Sequence, residues 1–145
     1  MMNRFLLWMV LFVAAFEAVA TDAVEFDYMM NCQGCHLPDG AGFPAHNVPA
    51  VAGNLGNFLG VDGGREFLVQ VPGSAQSDLD DARLAAVLNW MLVSFSAEQL
   101  PADWQHYTAA EVHELRKTPL IEVTPLRAAL MDLIEVKQQT GGAGR

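Results

Sequence analysis

Cys32-Gln33-Gly34-Cys35-His36 is the stretch on which the reading of this chain turns. Two thiols three positions apart, followed at once by an imidazole, can bond both vinyl groups of a haem while the histidine takes its iron from the same short segment. Other uses of such a pair fit less well. A thioredoxin-like redox pair needs a βαβ setting, and no strand-rich pattern flanks this one. A zinc site needs four donors, but the chain holds only two cysteines and no His-x-x-x-His pair that would complete a tetrahedron. A disulfide suits an exported protein, yet two intervening residues make a tight closure.

Export is itself written in the sequence. Arg4 supplies a positive start, Phe5 to Phe16 an apolar run, and Ala18-Val19-Ala20 a small-x-small cleavage site before Thr21, so residues 1–20 read as a signal peptide. The run is too short to cross a bilayer comfortably, and an association with membrane is expected only if residues 5–20 stay uncleaved as an anchor. Export places the chain in the periplasm, where haem is attached to thiols, and the remainder is long enough for one compact domain and not for two. Arg4 and Glu17 cancel, so the formal charge of −9 is unchanged by cleavage. Such acidity excludes nucleic acid as a partner and points to proteins with basic docking surfaces. No phosphate-binding glycine loop, serine nucleophile, internal repeat or basic patch is present.

Residues 22–31 have the pattern of a helix, capped by Thr21 or Asp22 and with Val24, Tyr28 and Met29 on the inward face. This helix delivers the chain into Cys32. After His36 the sequence becomes rich in glycine and proline as far as Gly63-Gly64, which predicts a long loop wrapped around a ligand. Arg65 to Gln70 reads as a short helix ended by Val71-Pro72-Gly73. Ser77 is the expected cap of a stronger helix in which Leu84, Val87, Leu88 and Met91 recur at helical spacing.

With the attachment segment, Tyr28 four residues before the first cysteine, and Trp90 on the last strong helix, the chain resembles a small monohaem class I c-type cytochrome over residues 21–95. The resemblance implies an all-α fold around one covalent haem c, bonded through Cys32 and Cys35, with His36 as the proximal iron ligand. It also implies that the carbonyl of Pro49, in the glycine-rich loop, accepts the Nδ1 proton of that histidine, and that Trp90 packs against the first helix. The family's usual distal ligand is a methionine followed by proline just before the last helix. Aligned on Pro72, Leu79 and Trp90, that position holds Val71, which has no donor atom. The distal site is then open, or filled by His106 or His113 from beyond the family's reach, or by another methionine such as Met91. His46, Met29 and Met30 are weaker candidates.

Residues 96–139 form an extension. Trp104, His106 and Tyr107 make an aromatic cluster, and Thr108-Ala109-Ala110-Glu111 is a capping-box pattern opening a helix to about Lys117 with Val112 and Leu115 on one face. Thr124-Pro125 is expected to start another helix, with Leu126, Leu130, Leu133 and Ile134 as an apolar stripe to about Gln139, and residues 140–145 a flexible tail. The function these features imply is single-electron transfer between periplasmic redox proteins, with no substrate bond broken. Val71 supports a second class, a five-coordinate haem protein that binds NO, CO or peroxide as sensor or catalyst.

Overall fold

Helices account for the architecture of the computed structural model, which describes residues 23–142. The signal peptide, the cap at Thr21 or Asp22 and the last three residues lie outside the described residues. The elements are α1 (residues 23–31), α2 (Gln33–His36), α3 (Leu55–Phe58), α4 (Gly64–Gln70), α5 (Pro72–Ala75), α6 (Asp81–Ser96), α7 (Ala109–Leu115) and α8 (Val123–Gly142), with 3-10 turns at Pro44–His46 and Ala97–Gln99. Among the described residues no strand forms, and a single antiparallel bridge joins Phe43 to Val48. The all-α expectation holds.

α6 is the axis of the core. Leu84, Val87, Leu88, Met91 and Leu92 are all buried along it, at a spacing that puts them on one helical face. Tyr28 of α1 meets this face at its aromatic end, with ring centroids 5.0 Å from Trp90 and 5.2 Å from Phe95. Trp90 and Phe95 stand edge to face at 5.3 Å, so the three rings form one cluster of the tilted geometry that aromatic quadrupoles favour. On the other side Phe58 of α3 stacks on Phe67 of α4 at 5.3 Å. Those two helices approach so closely that a Cβ on Gly64 would stand 2.0 Å from the Phe58 carbonyl oxygen. Only glycine fits there.

Several local expectations are corrected. Met29 is exposed, and the inward place beside Tyr28 belongs to Asp27, which is buried and paired with Arg83 of α6; a carboxylate can be buried when a guanidinium meets it. The cap of α6 is Asp80, whose carboxylate accepts from the Arg83 amide at 2.8 Å, while the Ser77 hydroxyl is spent on the Ser74 carbonyl. α4 does end at Gln70 as expected, but Pro72 at once starts a further turn, α5, its fixed φ suiting a first position. The glycine-rich segment is not all loop, since Leu55 and Phe58 bury themselves through one helical turn.

The extension packs into the same core. Thr108 caps α7 as expected, accepting from the Glu111 amide, and Val112, Tyr107, Leu130 and Ile134 are buried in the cluster that contains Leu84 and Leu88. Each such side chain contributes about 1.5–3 kcal/mol when fully buried, so α7 and α8 are part of the hydrophobic core. Only two members of the expected α8 stripe are inside: Leu126 and Leu133 are 37% and 50% exposed. The helix also starts at Val123 and runs to Gly142, past the expected end and into the expected tail.

Candidate functional site

The segment Cys32–His36 is built by continuing α1. The Cys32 amide donates to the Tyr28 carbonyl at 2.8 Å, and the Cys35 and His36 amides both donate to the Cys32 carbonyl, at 3.1 and 3.0 Å. One helical turn therefore puts Cys32, Cys35 and His36 on a common face, as residues three and four apart must be. Both cysteines are free thiols, Cys32 half-buried and Cys35 exposed, so the disulfide reading is not realised. Burial, and then the neighbouring Cys35 and Asp27, push the Cys32 thiol up to about 11; it remains a neutral thiol at physiological pH.

The turn ends abruptly at Leu37, a non-glycine residue with φ of 64°. The Tyr28 hydroxyl donates to the Leu37 carbonyl at 2.5 Å and the Gly42 amide to the His36 carbonyl at 3.1 Å. These bonds hold a backbone conformation that costs on the order of 1–3 kcal/mol. Burial pushes the Tyr28 phenol up to about 12, with the Cys32 and Asp39 charges acting the same way. The aromatic that anchors α1 to α6 thus also fixes the chain just after the histidine.

His36 is the most informative residue of the site. Its Nδ1 is buried and lacks a hydrogen-bond partner of good geometry. Burial lowers the imidazole's proton affinity, and the Pro49 carbonyl acts in the opposite direction. That carbonyl is therefore close enough to favour a proton on Nδ1. Gly42 runs close against it: a Cβ on this residue, whose φ is +70°, would lie 2.5 Å from both the carbonyl carbon and oxygen of Pro49. A neutral imidazole with Nδ1 directed at a carbonyl leaves Nε2 for a metal. The two free thiols, the half-buried histidine with its shielded Nδ1 and the Pro49 carbonyl together fit a covalently attached haem.

The distal candidates are placed as follows. Val71 is half-buried against the core between α4 and α5. His113 is exposed on α7, its Nδ1 2.9 Å from the Asp81 carboxylate. His106 is exposed and stacked on Trp104 at 4.5 Å, whereas Tyr107 turns inward. Met91 is buried in the core of α6, and His46 packs on Phe43 at 4.4 Å. Each histidine is thus engaged elsewhere, and no group of three or more His, Cys, Asp or Glu residues that would hold a metal by themselves occurs among the described residues. No helix among them is long and apolar enough to cross a membrane.

Two arginines that the sequence left unremarked join the extension to this framework. Arg65 of α4 pairs with both carboxylate oxygens of Glu111, at 2.5 and 2.8 Å, donates to the carbonyls of Gln105 and His106, and lies 4.1 Å over the Tyr107 ring. Arg116 donates to the carbonyls of Ala75, Ser77 and Leu79 and to Asp81. The capping-box position of Glu111 points to its own helix end and not to Arg65, and neither arginine carries any sequence signal of these pairings.

Two curated relatives, both named cytochrome c-552 and both from Thermus thermophilus, are similar to the chain. Each is 31% identical over 107 residues, spanning 61% of this chain and 81% of one relative or 72% of the other. No protein-family model matches the chain. No solved structure matches it.

Proposed function

This chain belongs to the c-type cytochrome family, and from that membership we propose that it is an exported monohaem electron carrier working between redox proteins of the periplasm. The observation that carries the proposal is the turn Cys32–His36, with its two free thiols on one face and the Nδ1 of its half-buried histidine shielded from solvent near the Pro49 carbonyl. Bound there, haem c supplies a one-electron ferrous–ferric couple. Cys32 and Cys35 would hold it and the Nε2 of His36 would ligate its iron. Burial lowers the proton affinity of His36 and so favours the neutral form, which is the form that ligates. The Pro49 carbonyl sets the tautomer and raises the basicity of the ligating nitrogen. The net charge of −9 steers basic partners, such as a dehydrogenase or an oxidase, toward the protein, an effect that weakens with salt.

The competing reading is a five-coordinate protein that binds NO, CO or peroxide, and the observation in its favour is the half-buried Val71 at the position where the family carries methionine. An absorption spectrum of the ferrous protein with and without CO separates the two. A low-spin protein indifferent to CO is expected of the carrier; a high-spin protein that takes up CO would overturn that role in favour of ligand binding. In the five-coordinate case Val71→Met should create a methionine–iron band that the wild-type protein lacks. A wild-type protein that already shows the band would mean that another methionine occupies the sixth position.

A further inference from the structure

The segment that carries Val71 is held from outside the part of the chain that resembles small cytochromes. Between α5 and α6 the carbonyls of Ala75, Ser77 and Leu79 lie in or beside a stretch that makes no regular helix, where they lack the partners a longer helix would supply. Arg116, at the end of α7, reaches all three: Nε donates to Ala75 at 3.1 Å, Nη2 to Ser77 at 2.7 Å and Nη1 to Leu79 at 2.7 Å. Nη1 also meets the Asp81 carboxylate at 3.1 Å, and the side chain is 18% exposed. The planar guanidinium offers five N–H donors in a fixed fork, a geometry that a lysine ammonium cannot reproduce.

The other end of the segment is tied by the same stretch of the extension. The Leu120 amide donates to the Gln70 carbonyl at 2.9 Å, and the Gln70 side-chain amide donates to the Thr118 hydroxyl at 2.8 Å. Inside the segment, the Ser74 and Ala75 amides donate to the Val71 carbonyl, both at 2.9 Å. Residues 116–120 thus fasten residues 70–81 at both ends, and the Ala75 carbonyl held by Arg116 belongs to the residue whose amide holds Val71.

We propose that the C-terminal extension is a brace for the distal segment, with Arg116 as the positioning residue that fixes where residue 71 stands relative to the haem iron. The inference rests on the reading above, that Val71 occupies the family's distal position. Arg116 touches neither haem nor substrate; it acts through the backbone of residues 75–79.

Hydrogen exchange on the full-length haem-loaded protein tests the brace itself. A bond to a charged donor contributes about 1.5–3 kcal/mol, so Arg116→Ala should speed exchange of the Ser74, Ala75 and Gln76 amides by about tenfold or more, with Arg116→Lys intermediate. Unchanged exchange in both variants would overturn the proposal, and Arg116→Lys decides the matter if the alanine variant does not fold. The reach to the iron is read in a Val71→Met background, by the methionine–iron band. Adding Arg116→Ala should remove at least half of that band at a temperature where helical circular dichroism is still native. A band that keeps its full intensity while exchange rises would show that the brace does not position residue 71, leaving the electron-carrier reading untouched. If Val71→Met produces no band at all, the distal placement is wrong and the inference falls with it, whatever exchange shows.

Discussion

Replacing Gly42 by alanine tests whether the Pro49 carbonyl is set against His36 by backbone contact. The residue has φ of +70°, and its added Cβ would lie 2.5 Å from the Pro49 carbon and oxygen and 2.7 Å from the Ala50 nitrogen. The left-handed conformation costs an alanine about 1–2 kcal/mol. Ordinary van der Waals contact begins at about 3.4 Å, so the Pro49–Ala50 peptide must retreat by nearly 1 Å; forcing a methyl into packed structure typically costs about 1–3 kcal/mol more. The sum is about 2–5 kcal/mol, or a fall in Tm of roughly 6–20 °C for a domain of this size. Two other glycines separate the terms. Gly53 has φ of +69° but nothing within 4 Å of a new Cβ, so Gly53→Ala should show the conformational cost alone. Gly34 has neither problem, and Gly34→Ala should be neutral or stabilising by up to about 1 kcal/mol. Denaturant unfolding of the three haem-loaded variants gives the comparison, and the haem absorption spectrum of Gly42→Ala should shift because the Pro49 carbonyl moves relative to its histidine. A Gly42→Ala variant no less stable than Gly53→Ala, with a wild-type spectrum, would refute the contact.

Three further outcomes are expected. Cys32→Ala combined with Cys35→Ala should abolish covalent haem, checked by whether haem stays on the chain through acid-acetone extraction; haem retained by the double variant would remove the basis of the attachment site. Asn89→Ala should destabilise the protein by about 2–3 kcal/mol, because the Asn89 side chain both donates to the Tyr107 carbonyl at 3.0 Å and accepts from its amide at 2.8 Å, leaving two backbone groups beside a buried residue unpaired; urea unfolding measures it, and a loss under about 0.5 kcal/mol would count against the pairing. The Arg65 guanidinium holds the Glu111 carboxyl below its ordinary 4.5, so folding is favoured by the charged form. That contribution is whole above pH 4.5 and fades as pH falls below it. Glu111→Gln should therefore cost about 1 kcal/mol at neutral pH and flatten the acid side of the stability profile; a parallel profile would place the acid sensitivity elsewhere.

What could be read from the residues alone was whatever acts within one or two turns of chain. The five residues from Cys32 to His36 contain both proposed covalent partners and the proposed proximal ligand of the site, because a single helical turn brings positions three and four apart together. The Thr108 cap and the apolar spacing of α6 are local in the same way, and both appear where their pattern puts them. Trp90 is set against the first helix only by resemblance to a family, and it meets Tyr28 of that helix at 5.0 Å. The rest depended on packing. Asp27 and Arg83 are 56 positions apart, Arg65 and Glu111 46, and Arg116 and Ser77 39; no periodicity or spacing encodes such pairs. Met29 and Asp27 are both near neighbours of Tyr28, and hydrophobicity favours the wrong one until the guanidinium of Arg83 is in place. In α8 an apolar stripe of four has only the room of two, since Leu130 and Ile134 face the core and Leu126 and Leu133 do not. A helix states which residues prefer burial, but how many are covered is decided by the width of the surface it lands on. The same holds for the distal segment: Val71 by itself shows only that a donor is missing, and the position in which that segment is held comes from Arg116, which tertiary folding alone brings to it.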